Sequence, residues 1–105
     1  MKKYEVSFRP LAEADLLRLY EYIAEASGLA LAGGYIDRLE AACQALETFP
    51  ERGTRRDDIR PGLRVMGFER RATIIFQVTE GEVVIVRIFY AGQDYEAALR
   101  DGGAE

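Results

Sequence analysis

Two dense apolar runs separated by a two-residue turn signal constrain this chain more than anything else in it. Residues 71–79 hold Thr73, Ile74, Ile75, Phe76 and Val78, and residues 82–90 hold Val83, Val84, Ile85, Val86, Ile88 and Phe89. β-Branched and aromatic side chains fit a pleated surface. Glu80–Gly81 between the runs marks a hairpin. Strands so continuously apolar belong at the centre of a sheet covered on at least one face. A shorter run, 62–68, alternates Leu63 and Val65 against Arg64 and Met66 and reads as a further strand. Near the N-terminus, Tyr4, Val6 and Phe8 alternate with Lys3, Glu5 and Ser7, the pattern of a half-buried strand.

Between these strands the period changes. Leu16, Leu19, Tyr20 and Ile23 fall at i, i+3, i+4 and i+7, one face of a helix. Pro10 suits its first turn, where a missing N–H costs nothing, and Ser27–Gly28 ends it. A second stripe of Ala32, Tyr35, Leu39, Ala42, Cys43 and Leu46 predicts another helix, ended by Pro50 and Gly53. Gly33 and Gly34 either weaken its first turns by ~1 kcal/mol each or allow close approach to the first helix. The short connection makes the two an antiparallel helical hairpin. Residues 51–61 are polar and read as irregular. Asp94 can cap a short C-terminal helix carrying Tyr95, Ala98 and Leu99, with a polar tail from Asp101. The order β-α-α-β-β-β with a short final helix predicts an α+β fold: an N-terminal strand and a helical hairpin packed on an antiparallel β-sheet. At 105 residues the chain suits one domain, 1–105, with a radius of gyration of ~13 Å.

Composition then limits the chemistry. There is no histidine and one cysteine, Cys43. Histidine acid–base catalysis, Ser–His–Asp and Cys–His sites, an internal disulfide and cysteine-based metal sites are excluded. A reducing, cytoplasmic setting is expected, with no metal and no cofactor. The longest run of apolar and glycine residues, 28–36, is far short of the ~20 residues a membrane helix needs. Acidic rather than basic residues precede it, unlike a secretion signal. Cys43 lies on an apolar stripe and reads as core.

The net charge is −4, which argues against non-specific DNA binding, and the sequence shows no recognition-helix pattern for sequence-specific DNA binding by this chain. Its distribution is uneven. Residues 52–71 carry seven arginines against three acids, a net +4, while the remainder carries seven cations against fifteen acids, a net −8. Arginine forks pair bidentately with carboxylates and phosphates. This segment is therefore either a solvated surface that offsets an acidic domain or a docking surface for an acidic partner. Arg87 interrupts an apolar strand. Alternation puts it on the face of Ile85 and Phe89, which implies either a partly buried ion pair or a partner-facing role.

The chain resembles the ParE-type toxins of the RelE/ParE superfamily from bacterial type II toxin–antitoxin systems. The residues that carry the resemblance are Ala14-Asp15-Leu16, Tyr22-Ile23, Tyr35, Leu39, Leu46 and Phe49-Pro50-Glu51-Arg52-Gly53. To these add Ile59-Arg60-Pro61-Gly62-Leu63-Arg64 and Val84-Ile85-Val86-Arg87-Ile88, followed by Tyr90-Ala91-Gly92-Gln93-Asp94-Tyr95. The resemblance implies a toxin neutralised by a ParD-like antitoxin in a hetero-oligomer, acting on DNA gyrase without catalytic residues. Arg56, Arg60, Arg64, Arg71 and Arg87 are the candidate antitoxin contacts, with Arg60 and Arg64 flanking the Pro-Gly turn into the sheet. Tyr90, Asp94, Tyr95 and Leu99 are the candidate target contacts; their simpler reading is strand end, helix cap and packing anchors.

The superfamily also contains RelE-like nucleases that cut messenger RNA on the ribosome. That reaction needs a base for the 2′ proton, support for the leaving 5′ oxygen and a cation for the phosphorane. RelE-like enzymes supply these from lysines and arginines, or from a Glu, an Arg and a near-terminal His. Here no lysine follows Lys3, and Thr73 and Ala91 fall near the expected Arg and His positions. Glu69 with Arg64, Arg70, Arg71 and Arg87 is the remaining nuclease candidate. A third reading is an inactive module of the same fold, kept for antitoxin binding.

Overall fold

The structure is a computed structural model, and it describes residues 3–101. A five-stranded sheet has the spatial order β1-β5-β4-β3-β2. The strands are β1 (Glu5–Phe8), β2 (Thr54–Arg55), β3 (Leu63–Phe68), β4 (Ala72–Thr79) and β5 (Glu82–Tyr90). Helices α1 (Pro10–Ser27) and α2 (Leu29–Gln44) pack on one face, and α3 (Tyr95–Arg100) closes the chain. The expected α+β order is present, with two additions. The sheet is mixed, because β1 runs parallel to β5, pairing Val6 with Val83 and Phe8 with Ile85. Strand pattern alone carries no direction; the chain passes through both helices to β2 at the far edge, and three antiparallel steps then bring β5 beside β1 in the same sense. The second addition is β2, two residues inside the segment read as irregular, which pair with Arg64 and Val65.

The hairpins follow their turn residues. Thr79 pairs with Glu82 across Glu80–Gly81, where Gly81 takes φ +86°. The β3–β4 connection is costlier. Glu69 and Arg70 both have positive φ, +48° and +63°, a region that L side chains enter at a penalty. Gly28, at φ +99°, is at once the last cap of α1 and the first of α2, so one residue reverses the chain. Gly33 and Gly34 are not points of close approach: a Cβ at Gly33 would meet open space, and one at Gly34 only the Arg38 side chain.

Both faces of the sheet are covered. On the helical face, Leu16, Leu19, Leu39, Cys43 and Leu46 meet Ile74, Phe76, Val83, Ile85 and Ile88. On the opposite face a smaller core joins Leu63, Ile75, Val86, Phe89 and Leu99, sheltered by Ile59, Tyr95 and Ala98. The loop before β3 and the short α3 thus form a second layer. One irregularity makes this two-sided arrangement work. Ile75 pairs with Arg87 but Phe76 pairs with Ile85, leaving Val86 as the extra residue of a bulge. Ile85 therefore packs against the helices while Val86 and Phe89 pack on the other side. Simple alternation had placed Ile85, Arg87 and Phe89 together; the bulge separates Ile85 from the other two. The radius of gyration is 13.5 Å. The polar tail 102–105 lies outside the described residues.

Candidate functional site

The parallel partner β1 ends at Phe8, so the outer edge of β5 is open from Val86 onward. Side chains occupy this edge. Asp15, 6% exposed on the apolar face of α1, accepts the Ile88 N–H at 2.9 Å. Gln93 Oε1 accepts the Tyr90 N–H at 2.7 Å. Arg87 closes on the same carboxylate, donating from Nε to Oδ2 at 2.7 Å and from Nη2 to Oδ1 at 3.0 Å. Arg18 adds a bond from the solvent side at 2.6 Å. Four donors thus surround a buried carboxylate, which is what a buried charge requires. Arg87 also lies over the Phe89 ring, 4.7 Å from its centroid. Of its two readings, the geometry matches the buried ion pair. Asp15 was legible: it shares the stripe of Ala12, Leu16 and Leu19, so an apolar helix face and an apolar strand each carried one charge in need of a partner.

The arginine segment does not form one cationic patch. Arg55 pairs with Asp57, and Arg56 grips Asp58 through Nε and Nη2, both at 2.9 Å. Arg56 also reaches Glu96 at 2.6 Å and Tyr95 Oη at 3.3 Å, and Arg100 meets Asp58 at 3.0 Å. This network ties the loop before β3 to α3. Arg56 acts inside the chain, and its guanidinium holds the Asp58 carboxyl well below the usual range. Arg60 is half-buried, its backbone closing the turn into β3. Arg64 projects from β3 and donates to the Arg52 carbonyl at 3.2 Å. Arg71 is exposed at the end of the β3–β4 turn.

The remaining candidates divide between two places. Asp94 caps α3 by accepting the Ala97 N–H at 3.1 Å. Tyr95 packs against Phe89 with ring centroids 6.3 Å apart, and Leu99 is 3% exposed in the second core. Tyr90 is elsewhere, at the end of β5, in edge-to-face contact with Tyr22 at 5.7 Å and Tyr35 at 6.0 Å. It separates two shallow grooves. One, of about 360 Å³, runs beside Asp15, Arg18, Tyr22 and Gln93. The other, of about 250 Å³, is bounded by Ile23, Leu31, Tyr35, Arg38, Glu69 and Arg71. Glu69 is clamped there by Arg38, Nε to Oε2 at 2.9 Å and Nη2 to Oε1 at 3.1 Å, and this pair lowers its pKa. Glu69 thus pairs with Arg38 of α2 and not with the adjacent Arg70. Tyr35 was read as core stripe; its hydroxyl is buried and has no hydrogen-bond partner among the described residues. Burial is the main cause that pushes its pKa up to about 12. Tyr22, Leu29 and Leu31 leave large apolar side chains exposed on the same helical hairpin, at 60%, 69% and 65%.

Among the described residues no three His, Cys, Asp or Glu side chains group as a metal site, and no helix is long and apolar enough to cross a membrane. Residues 6–95 match the family model described as the ParE toxin of the type II toxin–antitoxin system, parDE. The chain is 31% identical over 91 residues to Toxin ParE3 of Caulobacter vibrioides, covering 87% of this chain and 89% of that protein. A solved structure titled as the chromosomal ParDE system of P. aeruginosa superposes with a TM-score of 0.73 at 23% identity, over 85% of this chain and 97% of that one. The RelBE2 toxin–antitoxin complex of Mycobacterium tuberculosis superposes at 0.58 and 22% identity, over 89% of this chain and 97% of the other. With a bulged central hairpin, two helices on one face and a match across 6–95, this chain belongs to the ParE toxin family of the RelE/ParE type II toxin–antitoxin superfamily.

Proposed function

We propose that this ParE-family toxin inhibits DNA gyrase by binding it, without catalysis of its own, and that a ParD-like antitoxin neutralises it in a hetero-oligomer within the cytoplasm. The observation that carries the reading is the commitment of the charged groups. The RNA-cleavage alternative relies on Glu69 as a base, but Arg38 holds it in a two-point clamp and lowers its proton affinity. A weaker base is the opposite of what proton abstraction at neutral pH asks for. Arg87, a candidate phosphate ligand in that scheme, is engaged by Asp15.

The surfaces support binding instead. Arg60, Arg64 and Arg71 are the predicted antitoxin contacts whose guanidinium groups pair with no carboxylate among the described residues, and they are the ones we assign to the antitoxin. Arg56 and Arg87 support that surface from within. For the target we assign Tyr90, Asp94 and Tyr95. Leu99 contributes from beneath, by seating α3 on the sheet. Exposed Tyr22, Leu29 and Leu31 suit a protein that spends its time covered by a partner.

Induction of the chain alone in bacteria, with DNA and protein synthesis pulse-labelled in parallel, tests the reading. DNA synthesis failing first supports gyrase as target. Translation failing first points to the ribosome and overturns it. Growth unaffected while antitoxin binding persists identifies an inactive module.

A further inference from the structure

Helix α3 hangs on a strained hinge and rests in a seat whose contacts any copy of the same helix makes equally well. Residues 91–94 turn the chain from β5 into α3. Ala91 takes φ +50° and Gly92 φ +78°. Glycine enters that region freely, whereas the Cβ of Ala91 is penalised there. The turn closes on a long bond from the Gln93 N–H to the Tyr90 carbonyl, 3.4 Å, and on the Gln93 side chain at the Tyr90 N–H. With six residues, α3 is too short to be a stable helix by itself. Its seat is built by the body of the chain. The floor is Leu63, Ile75, Val86 and Phe89, on which Leu99 and the Tyr95 ring rest. The rim carries one charge of each sign: Arg56 takes Glu96 at 2.6 Å, and Asp58 takes Arg100 at 3.0 Å. Glu96 and Arg100 are exposed, so these ties hold α3 only weakly.

We propose that α3 exchanges between two copies of this chain, each copy's helix filling the other's seat, in a dimer joined through extended hinges at residues 91–94. An empty seat would expose its apolar floor to water, so a displaced α3 must be replaced. The replacement is a second copy because its α3 brings the same complement: Leu99 and Tyr95 for the floor, Glu96 for Arg56 and Arg100 for Asp58. The Asp94 cap on the Ala97 N–H travels with the helix. Exchange therefore conserves every contact of α3, while straightening the hinge releases the Ala91 penalty once in each chain. Strained short hinges favour exchange of this kind, and rising concentration offsets the entropy lost on association. Four extended residues reach about 14 Å, so the two bodies meet near the ends of their β5 strands. The surface that holds Tyr90, Asp94 and Tyr95 is then composite, with Tyr90 from one chain and Tyr95 from the other. The exchange goes beyond the toxin reading and stands independently of it.

The test follows the purified full chain by size-exclusion chromatography with light scattering, from micromolar to millimolar concentration. The expected result is a dimer whose share grows with concentration. Ala91→Gly removes the hinge penalty from the monomer, twice per dimer, and should weaken dimerisation by about 30-fold or more while the circular dichroism spectrum stays that of the wild type. A second arm identifies the exchanged element. Asp58→Arg and Arg100→Asp each place like charges at their own Asp58–Arg100 tie. When the two variants are mixed, exchange pairs opposite charges in both seats. The mixed dimer should then be favoured about tenfold over the two self-dimers. A dimer formed through any other surface would mix statistically. A chain that stays monomeric throughout overturns the proposal. So does a dimer that Ala91→Gly leaves equally stable, and so does statistical mixing of the charge variants. If the charge variants do not fold, the Ala91→Gly comparison decides alone.

Discussion

Removal of the Asp15 carboxylate is the perturbation whose cost follows most directly from the geometry. In Asp15→Ala, Arg87 loses both of its carboxylate bonds, at 2.7 and 3.0 Å, while its side chain stays 14% exposed. The Ile88 N–H loses its acceptor in a buried setting. Breaking one half of a buried pair costs about 3–5 kcal/mol, because the surviving charge is stranded. The orphaned amide adds ~1–3 kcal/mol. The Arg18 bond adds little, because that side chain is 62% exposed and screened by water. Partial solvation of Arg87 through the opened edge offsets some of this, so about 4 kcal/mol is expected. Domains of this size are stable by roughly 5–15 kcal/mol, so the loss is a large share of the whole. Urea denaturation followed by circular dichroism measures it, as a fall in midpoint at unchanged slope. The double variant Asp15→Leu with Arg87→Met removes both charges. It should recover at least ~2 kcal/mol relative to Asp15→Leu alone, which is the coupling of groups in direct contact. A loss below about 1 kcal/mol for Asp15→Ala, or no recovery in the double variant, would refute the claim that this pair seals the edge of β5.

Other expectations concern single groups. Gly33→Ala should stabilise the protein by about 0.5–1 kcal/mol in thermal melts, since its Cβ meets open space in a helix, whereas Gly53→Ala should destabilise it by more than that, because at φ +72° its Cβ would clash with the Val65 carbonyl oxygen. Burial pushes the Cys43 thiol up to about 12, so the native protein should resist thiol reagents at pH 8 and react only on unfolding. The unfolded thiol ionises near 9 and the folded one near 12, so Cys43 draws stability away as pH rises between those values; Cys43→Ala should flatten the pH dependence of the urea midpoint there. Asp58 has the opposite sign: its folded pKa is depressed, so the stability from its tie with Arg56 and Arg100 is complete above the usual value of 3.8 and is lost as pH falls from there through the depressed folded value. Loosening of Leu99 in methyl NMR spectra should appear on acidification and, at neutral pH, in Asp58→Asn.

The sequence made the elements legible where one physical signal acted alone. The apolar runs around Glu80–Gly81 and the 3.6-residue stripes through Leu16–Ile23 and Tyr35–Leu46 needed no tertiary information. The direction of β1 and the existence of β2 did, since pairing partners decide both. The bulge at Val86 was hidden because apolar residues on both sides of it mask a change of face. At the candidate sites, residue type announced that Arg87 needed a partner but not that Asp15 was it, although both charges stood out on apolar surfaces. The run of arginines from Arg52 to Arg71 left open a solvated surface or a docking face for an acidic partner. Local acids at Asp57 and Asp58 take up two of those arginines, so the charge available to a partner is smaller than the count implies. Tyr35 looked like ordinary core because a stripe records where a ring sits and not whether its hydroxyl finds a partner.

The central claim is that this toxin acts by occupying gyrase. Its most direct test is plasmid supercoiling by purified gyrase in the presence of the purified chain, with and without its antitoxin. Loss of supercoiling that the antitoxin restores, and that Tyr90→Ala weakens, is the predicted result. Full gyrase activity at saturating toxin, alongside cutting of messenger RNA on programmed ribosomes, would contradict it.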